Sequence, residues 1–150
     1  MDNDMSKDIE QLILNGFFEK AKLILESHNI NYIREKLLKI SYDTGNIITY
    51  TFINSILYTN ETAELHYCAS ELLCMPLCHI EGAYESALFH ARKAIELDPE
   101  DISYKEYILF FSRLPKKIIS DDEIIKYARD VLEEIPDNKA ALDVLNIKRY

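Results

Sequence analysis

Gly82-Ala83-Tyr84-Glu85-Ser86-Ala87-Leu88-Phe89-His90-Ala91-Arg92-Lys93-Ala94-Ile95-Glu96-Leu97-Asp98-Pro99 is the stretch from which the fold of this chain is read. Ala87, Ala91 and Ala94 recur at helical spacing with Leu88 and Ile95 beside them, a narrow face of small residues that lets a second helix approach closely. Pro99 ends the run, because its ring and missing N–H break the hydrogen-bond ladder, and it disfavours helical geometry at Asp98. The expectation is a helix made for packing.

Downstream, Ser120-Asp121-Asp122-Glu123 reads as a capping box opening a helix through Ile124, Ala128, Val131 and Leu132 to Ile135, closed by Pro136-Asp137-Asn138. The order Gly82, Tyr84, Ala87, Ala94, Asp98-Pro99 resembles the second half of a tetratricopeptide repeat, and the Ser120 segment resembles a second copy. Pro99 and Pro136 lie 37 residues apart. The family period is about 34, which places a short insertion at Leu114-Pro115-Lys116-Lys117. Upstream, Gly16-Phe17-Phe18-Glu19-Lys20-Ala21 repeats the Gly82, Tyr84, Ala87 spacing with one residue shifted, after the amphipathic run Ile9, Leu12, Ile13. Gly16 and Gly82 are 66 residues apart, nearly two periods, leaving room for one hairpin between them. Its candidates are a helix from Tyr32 to about Asp43, ended by Gly45, and a second from Ile47 to Tyr58.

Ile47-Ile48-Thr49-Tyr50-Thr51-Phe52-Ile53 is rich in β-branched and aromatic residues and has a strand as its alternative. A lone strand needs a pairing partner, and nothing else in the chain has that character, so helix is preferred. The remaining helices are expected over Glu61 to Glu81, Asp101 to Leu114 and Asp137 to Arg149. Pro76 should kink the first of these or start a new turn. The last presents Ala140, Ala141, Val144 and Leu145 inward, with Asp143, Lys148 and Arg149 to water, as a terminal cap requires.

The resemblance implies an all-α fold: a right-handed solenoid of antiparallel helix hairpins with about eight or nine helices. The hairpins would span 6–29, 31–59, 61–99 and 101–136, with a capping helix at 137–149. Glu71, Cys74, Met75 and Cys78 stand where the repeat carries Trp, Leu, Gly and Tyr, so the family pattern fails in the first helix of the clearest hairpin. Two architectures follow, a divergent solenoid or a compact bundle with one repeat-like hairpin.

Composition agrees with helices. The chain has 150 residues, 48% of them hydrophobic, with only three Gly and four Pro, fewer turn residues than an all-β fold needs. Seventeen basic against 26 acidic residues give a net charge of −9. That charge repels phosphate backbones and anionic headgroups, so neither nucleic acid nor a membrane is an expected partner. The polar, acidic start from Met1 to Asp8 has no signal-peptide pattern, and no uncharged apolar run approaches a membrane span. The odd set Cys68, Cys74 and Cys78 suits a reducing cytoplasm better than a disulfide framework.

Cys74 and Cys78, four apart and close in sequence to His66 and His79, are the one cluster of metal-ligand types, but no Cys-x-x-Cys pair accompanies them. No Lys or Arg occurs between Lys39 and Arg92 to activate a thiol. His28, His66, His79 and His90 form no metalloprotease pattern, and three isolated glycines build no phosphate loop. No catalytic residue, cofactor or metal is therefore expected.

Ile102, Tyr104, Tyr107, Ile108, Leu109, Phe110, Phe111 and Leu114 cover nearly the whole circumference of their helix, which must be buried on two sides or exposed to a partner. Tetratricopeptide arrays bind ligands on the concave surface of first helices, and that register, carried over, puts Leu72, His79, Glu106, Phe110 and Arg113 there. Asp121 and Asp122, besides their ordinary role at a helix start, are acidic positions for a basic partner. The reading is a non-catalytic protein-binding module, in its concrete form a small acidic inhibitor of the immunity type that blocks a basic partner such as a toxin domain. The alternatives are an adaptor that takes a peptide or helix in its groove, and an enzyme or metal protein centred on Cys74, Cys78 and His79.

Overall fold

The computed structural model describes residues 2–148, with side chains from 4 to 146. Among them the backbone forms nine α-helices and no strand. They are α1 (Asp2–Leu14), α2 (Phe18–Leu25), α3 (Ile30–Thr44), α4 (Ile48–Leu57), α5 (Ala63–Cys74), α6 (Ala83–Leu97), α7 (Ile102–Ile108), α8 (Asp121–Glu134) and α9 (Lys139–Lys148), with a 3-10 turn at Leu109–Arg113. From α3 to α9 every helix packs on its successor, as α1 does on α2, while α1 also meets α4, α3 reaches α5, and the 3-10 turn reaches both α8 and α9.

Local chemistry sets the helix ends. Asn29, Thr62, Asp101 and Ser120 each accept a backbone N–H of the first turn with their side chains, at α3, α5, α7 and α8 respectively. Gly45 closes α3 at φ 63°, its N–H on the Ser41 carbonyl at 2.8 Å, a left-handed cap that only glycine adopts at no steric cost. Only half of the capping box at Ser120 forms. The Ser120 hydroxyl accepts from the Glu123 N–H, but the Glu123 carboxylate turns away to a bidentate pair with Arg92 on α6, both contacts 2.8 Å.

The β-branched stretch around Ile48 is helical. Thr49, Phe52, Ile53 and Leu57 lie buried along α4, and the Thr49 hydroxyl meets Ser41 at 2.6 Å, so packing overrides strand propensity. Two expectations need correction. The helix expected over Glu61 to Glu81 stops at Cys74, because Pro76 cannot donate and its ring would clash with the Leu72 carbonyl. Met75 leaves the helix at φ −113°, ψ −89°, and turns carry the chain to Gly82. Cys74 and Cys78 are accordingly not neighbours on one helix face. The helix expected over Asp101 to Leu114 is α-helical only to Ile108 and tightens into the 3-10 turn; Leu114 is extended at ψ 144°, as its place before Pro115 demands. At the far end Arg149, expected in the last helix, lies outside the described residues, as does the Lys148 side chain.

Two sets of buried side chains form the core. One gathers Ile9, Ile13, Leu37, Phe52 and Ile53 with Leu65, Cys68, Ala69 and Leu72. The other gathers Ala87, Ala91 and Ala94 with Ile108, Phe111, Ile124, Val131 and Val144, and also takes Ala63, Leu73 and Cys74. Both draw on α5, which is why ten of its twelve residues are buried. A helix buried on nearly every side has to sit in the middle of the chain's packing. The alanine face of α6 lets that helix lie close against it.

Candidate functional site

The helices α3, α5, α7 and α9 contribute to one trough. A cavity of about 390 Å³ is walled by Ile30, Asn31 and Arg34 from α3, Glu64 and Tyr67 from α5, and Ser103 and Tyr104 from α7. A second, of about 350 Å³, shares Tyr67 and Ser103 with the first and adds Glu106, Tyr107, Phe110, Arg113 and Ala140. Aromatic rings line both. The Tyr67 centroid lies 5.8 Å from Tyr104 and 4.8 Å from Tyr107, and behind the lining the buried core ring of Phe111 lies 5.9 Å from Tyr107 and 5.4 Å from Phe110. Such tilted and edge-on pairs hold large rings in fixed places at small entropic cost.

Polar groups beneath the rings anchor this floor. Arg34 makes a two-pronged ion pair with Glu71, one contact being Nη2 to Oε1 at 2.8 Å, and the Tyr67 hydroxyl donates to the same Oε1 at 2.9 Å. Glu71 is buried, so the three side chains form a closed unit. The hydrogen bond to Glu71 raises the Arg34 pKa further. Burial, and then the bond to Glu71, pushes the Tyr67 hydroxyl up to about 12. One helical turn on, Ser70 Oγ donates to the Ala87 carbonyl at 2.7 Å and meets the Tyr107 hydroxyl at 2.8 Å. Tyr107 also reaches Cys74 Sγ at 3.1 Å, and burial holds its hydroxyl far above the ordinary range.

The residues expected to face a partner are dispersed. Glu106, Phe110 and Arg113 do come together, all three on the second cavity. Leu72 has no exposed surface and belongs to the core, so it cannot touch a partner; the register was carried over from a repeat whose first helix this chain does not match. His79 is exposed on the segment after α5, next to Gly45, where a Cβ would lie 3.5 Å from its ring, and it borders neither cavity. Asp121 pairs with Lys117 at 3.1 Å, and Asp122 borders a separate cavity along α8. Arg34, Tyr67, Ser103 and Tyr104 were missed. Tyr104 and Tyr107 entered the sequence reading only as members of a segment apolar around nearly its whole circumference.

A second buried polar chain crosses α4, α5 and α6. The Tyr50 hydroxyl lies 2.8 Å from His90 Nε2, His90 Nδ1 lies 2.8 Å from His66 Nδ1, and His66 Nε2 lies 2.8 Å from Glu61 Oε1. One choice of tautomers gives each atom a role: Tyr50 donates to His90 Nε2, His90 Nδ1–H to His66 Nδ1, and His66 Nε2–H to the Glu61 carboxylate. Burial, and then the neighbouring His66, lowers the His90 pKa to about 4. The cysteines are set apart from this chain. Cys68 is pushed up to about 12 by burial, Cys74 is raised for the same reason, and Cys78 is exposed. Among the described residues, no three or more His, Cys, Asp or Glu side chains are grouped to hold a metal ion, and no helix is long and apolar enough to cross a membrane.

Comparison with known protein families, with curated proteins and with solved structures finds no match to this chain.

Proposed function

We propose that this chain is a non-catalytic protein-interaction module, a divergent stack of tetratricopeptide-like hairpins that receives a segment of its partner in the trough. The reading is carried by one observation: two adjoining cavities, floored by a run of aromatic rings, open along α3, α5, α7 and α9. A concave strip with fixed aromatic anchors and a polar rim is what recognition of an extended or helical segment requires. The contacts of α3 with α5 and of the 3-10 turn with α9 favour a stack of hairpins, and free cysteines suit a reducing cytoplasm.

The test is affinity capture at low and high salt with the wild-type chain and with Phe110→Ala. Phe110 is 38% exposed, so the variant should keep its helical circular dichroism. The wild type should hold one stoichiometric partner at both salt levels, and Phe110→Ala should weaken it at least about tenfold. Undiminished binding by Phe110→Ala would refute the trough as the site.

The second reading is an acidic inhibitor of the immunity type that blocks a basic partner such as a toxin domain, favoured by the net charge of −9. It expects association lost at high salt, and a larger effect from charge reversal at Asp121 and Asp122 than from Phe110→Ala.

A further inference from the structure

The larger cavity of the trough has the chemistry of a cation subsite. Its walls are the rings of Tyr67 and Tyr104, and its rim carries Asn31 and Glu64. Tyr67 already takes one cation on its face, the Arg34 guanidinium at 5.9 Å from the centroid. Arg34 is not available to balance the cavity's charge, because its fork is committed to buried Glu71. Glu64, by contrast, is exposed, and among the described residues no ion pair or hydrogen bond engages its carboxylate. Burial raises the Tyr104 hydroxyl to about 12, and the carboxylates of Glu64, Asp101 and Asp98 add to the effect. At about 390 Å³ the cavity is near the small end of ligand pockets, a size for one long side chain.

We infer that this cavity receives a lysine or arginine side chain of the partner segment, its cation against Tyr67 and Tyr104 and beside Glu64, with a neighbouring apolar residue of the partner seated on Phe110. The inference rests on the protein-binding reading above and gives it a sequence preference, a basic residue close to an apolar one. It also fits the sign of the whole chain's charge, which would draw such a segment in.

The experiment is a titration followed by amide NMR, with N-acetyl-arginine amide as the probe and N-acetyl-citrulline amide, its neutral isostere, as the control. Arginine should give saturable shifts centred on Tyr67, Ser103 and Tyr104. Citrulline, and arginine with Glu64→Gln, should each bind about fivefold more weakly or less. Equal affinity for citrulline, tighter binding of N-acetyl-aspartate amide, or shifts that rise linearly all over the surface would each overturn the subsite. So would a partner whose capture depends on Phe110 while arginine shows no preference for the cavity, and that result would leave the protein-binding reading standing.

Discussion

Lowering the pH from 7 to 5 should destabilise the fold through His90. The ring is 2% exposed and faces the Tyr50 hydroxyl from α4 and the His66 ring from α5, with Glu61 and then Lys93 beyond His66. No carboxylate touches it directly to favour its charged form. In the folded chain it titrates near 4, against an ordinary value of 6.5 once unfolded. Between those values the unfolded chain binds a proton that the folded chain refuses, so stability is full above about pH 6.5 and falls as pH drops toward 4. At pH 5 the unfolded imidazole is almost fully charged and the folded one almost neutral, which amounts to a loss of about 2 kcal/mol relative to pH 7. That is a sizeable share of the 5–15 kcal/mol typical of a domain. Urea unfolding followed by circular dichroism at pH 7, 6 and 5 measures it, with His90→Gln as the reference because glutamine keeps hydrogen-bonding groups and cannot titrate. The wild type should lose about 2 kcal/mol more than the variant across that range. Parallel pH dependence of the two proteins would refute the reasoning.

Glu71→Gln should cost about 1–3 kcal/mol, read as a lower urea midpoint. It removes the charge facing Arg34 in a buried position, and the loss is moderated because the Arg34 side chain is 33% exposed and can recruit water. An unchanged midpoint would mean the pair is not formed in solution. A thiol reagent at neutral pH should label Cys78 rapidly and Cys68 and Cys74 only on unfolding, since the first is exposed and the other two are buried. Fast labelling of more than one thiol in the native chain would contradict the packing around α5.

The helices were legible where one residue carries a physical instruction. Gly45, read as the end of a helix, has positive φ at 63°. The Ala87, Ala91, Ala94 face was read as a packing surface, and it is buried. Pro76 misled because a proline either kinks a helix or ends it. Here the chain takes the second course, and Pro76 and Leu77 are buried in the turns that follow. In the trough, Glu106, Phe110 and Arg113 came from the tetratricopeptide register carried over, the same step that misplaced Leu72 and His79. Arg34, Tyr67 and Glu71 were not legible, because they belong to two helices whose juxtaposition is a tertiary fact. The contact between His66 and His90, 24 residues apart, has no periodic signature either.

With α5 serving as a wall of both cores, neither half of the molecule has a complete interior of its own. A chain severed in the turns between Cys74 and Gly82 would leave the alanine face of α6 bare to water. One severed before Ala63 would strip the lid from Phe52 and Ile53. The molecule is therefore bound to melt as a unit, and the amides of α5 should be among the last to exchange with solvent.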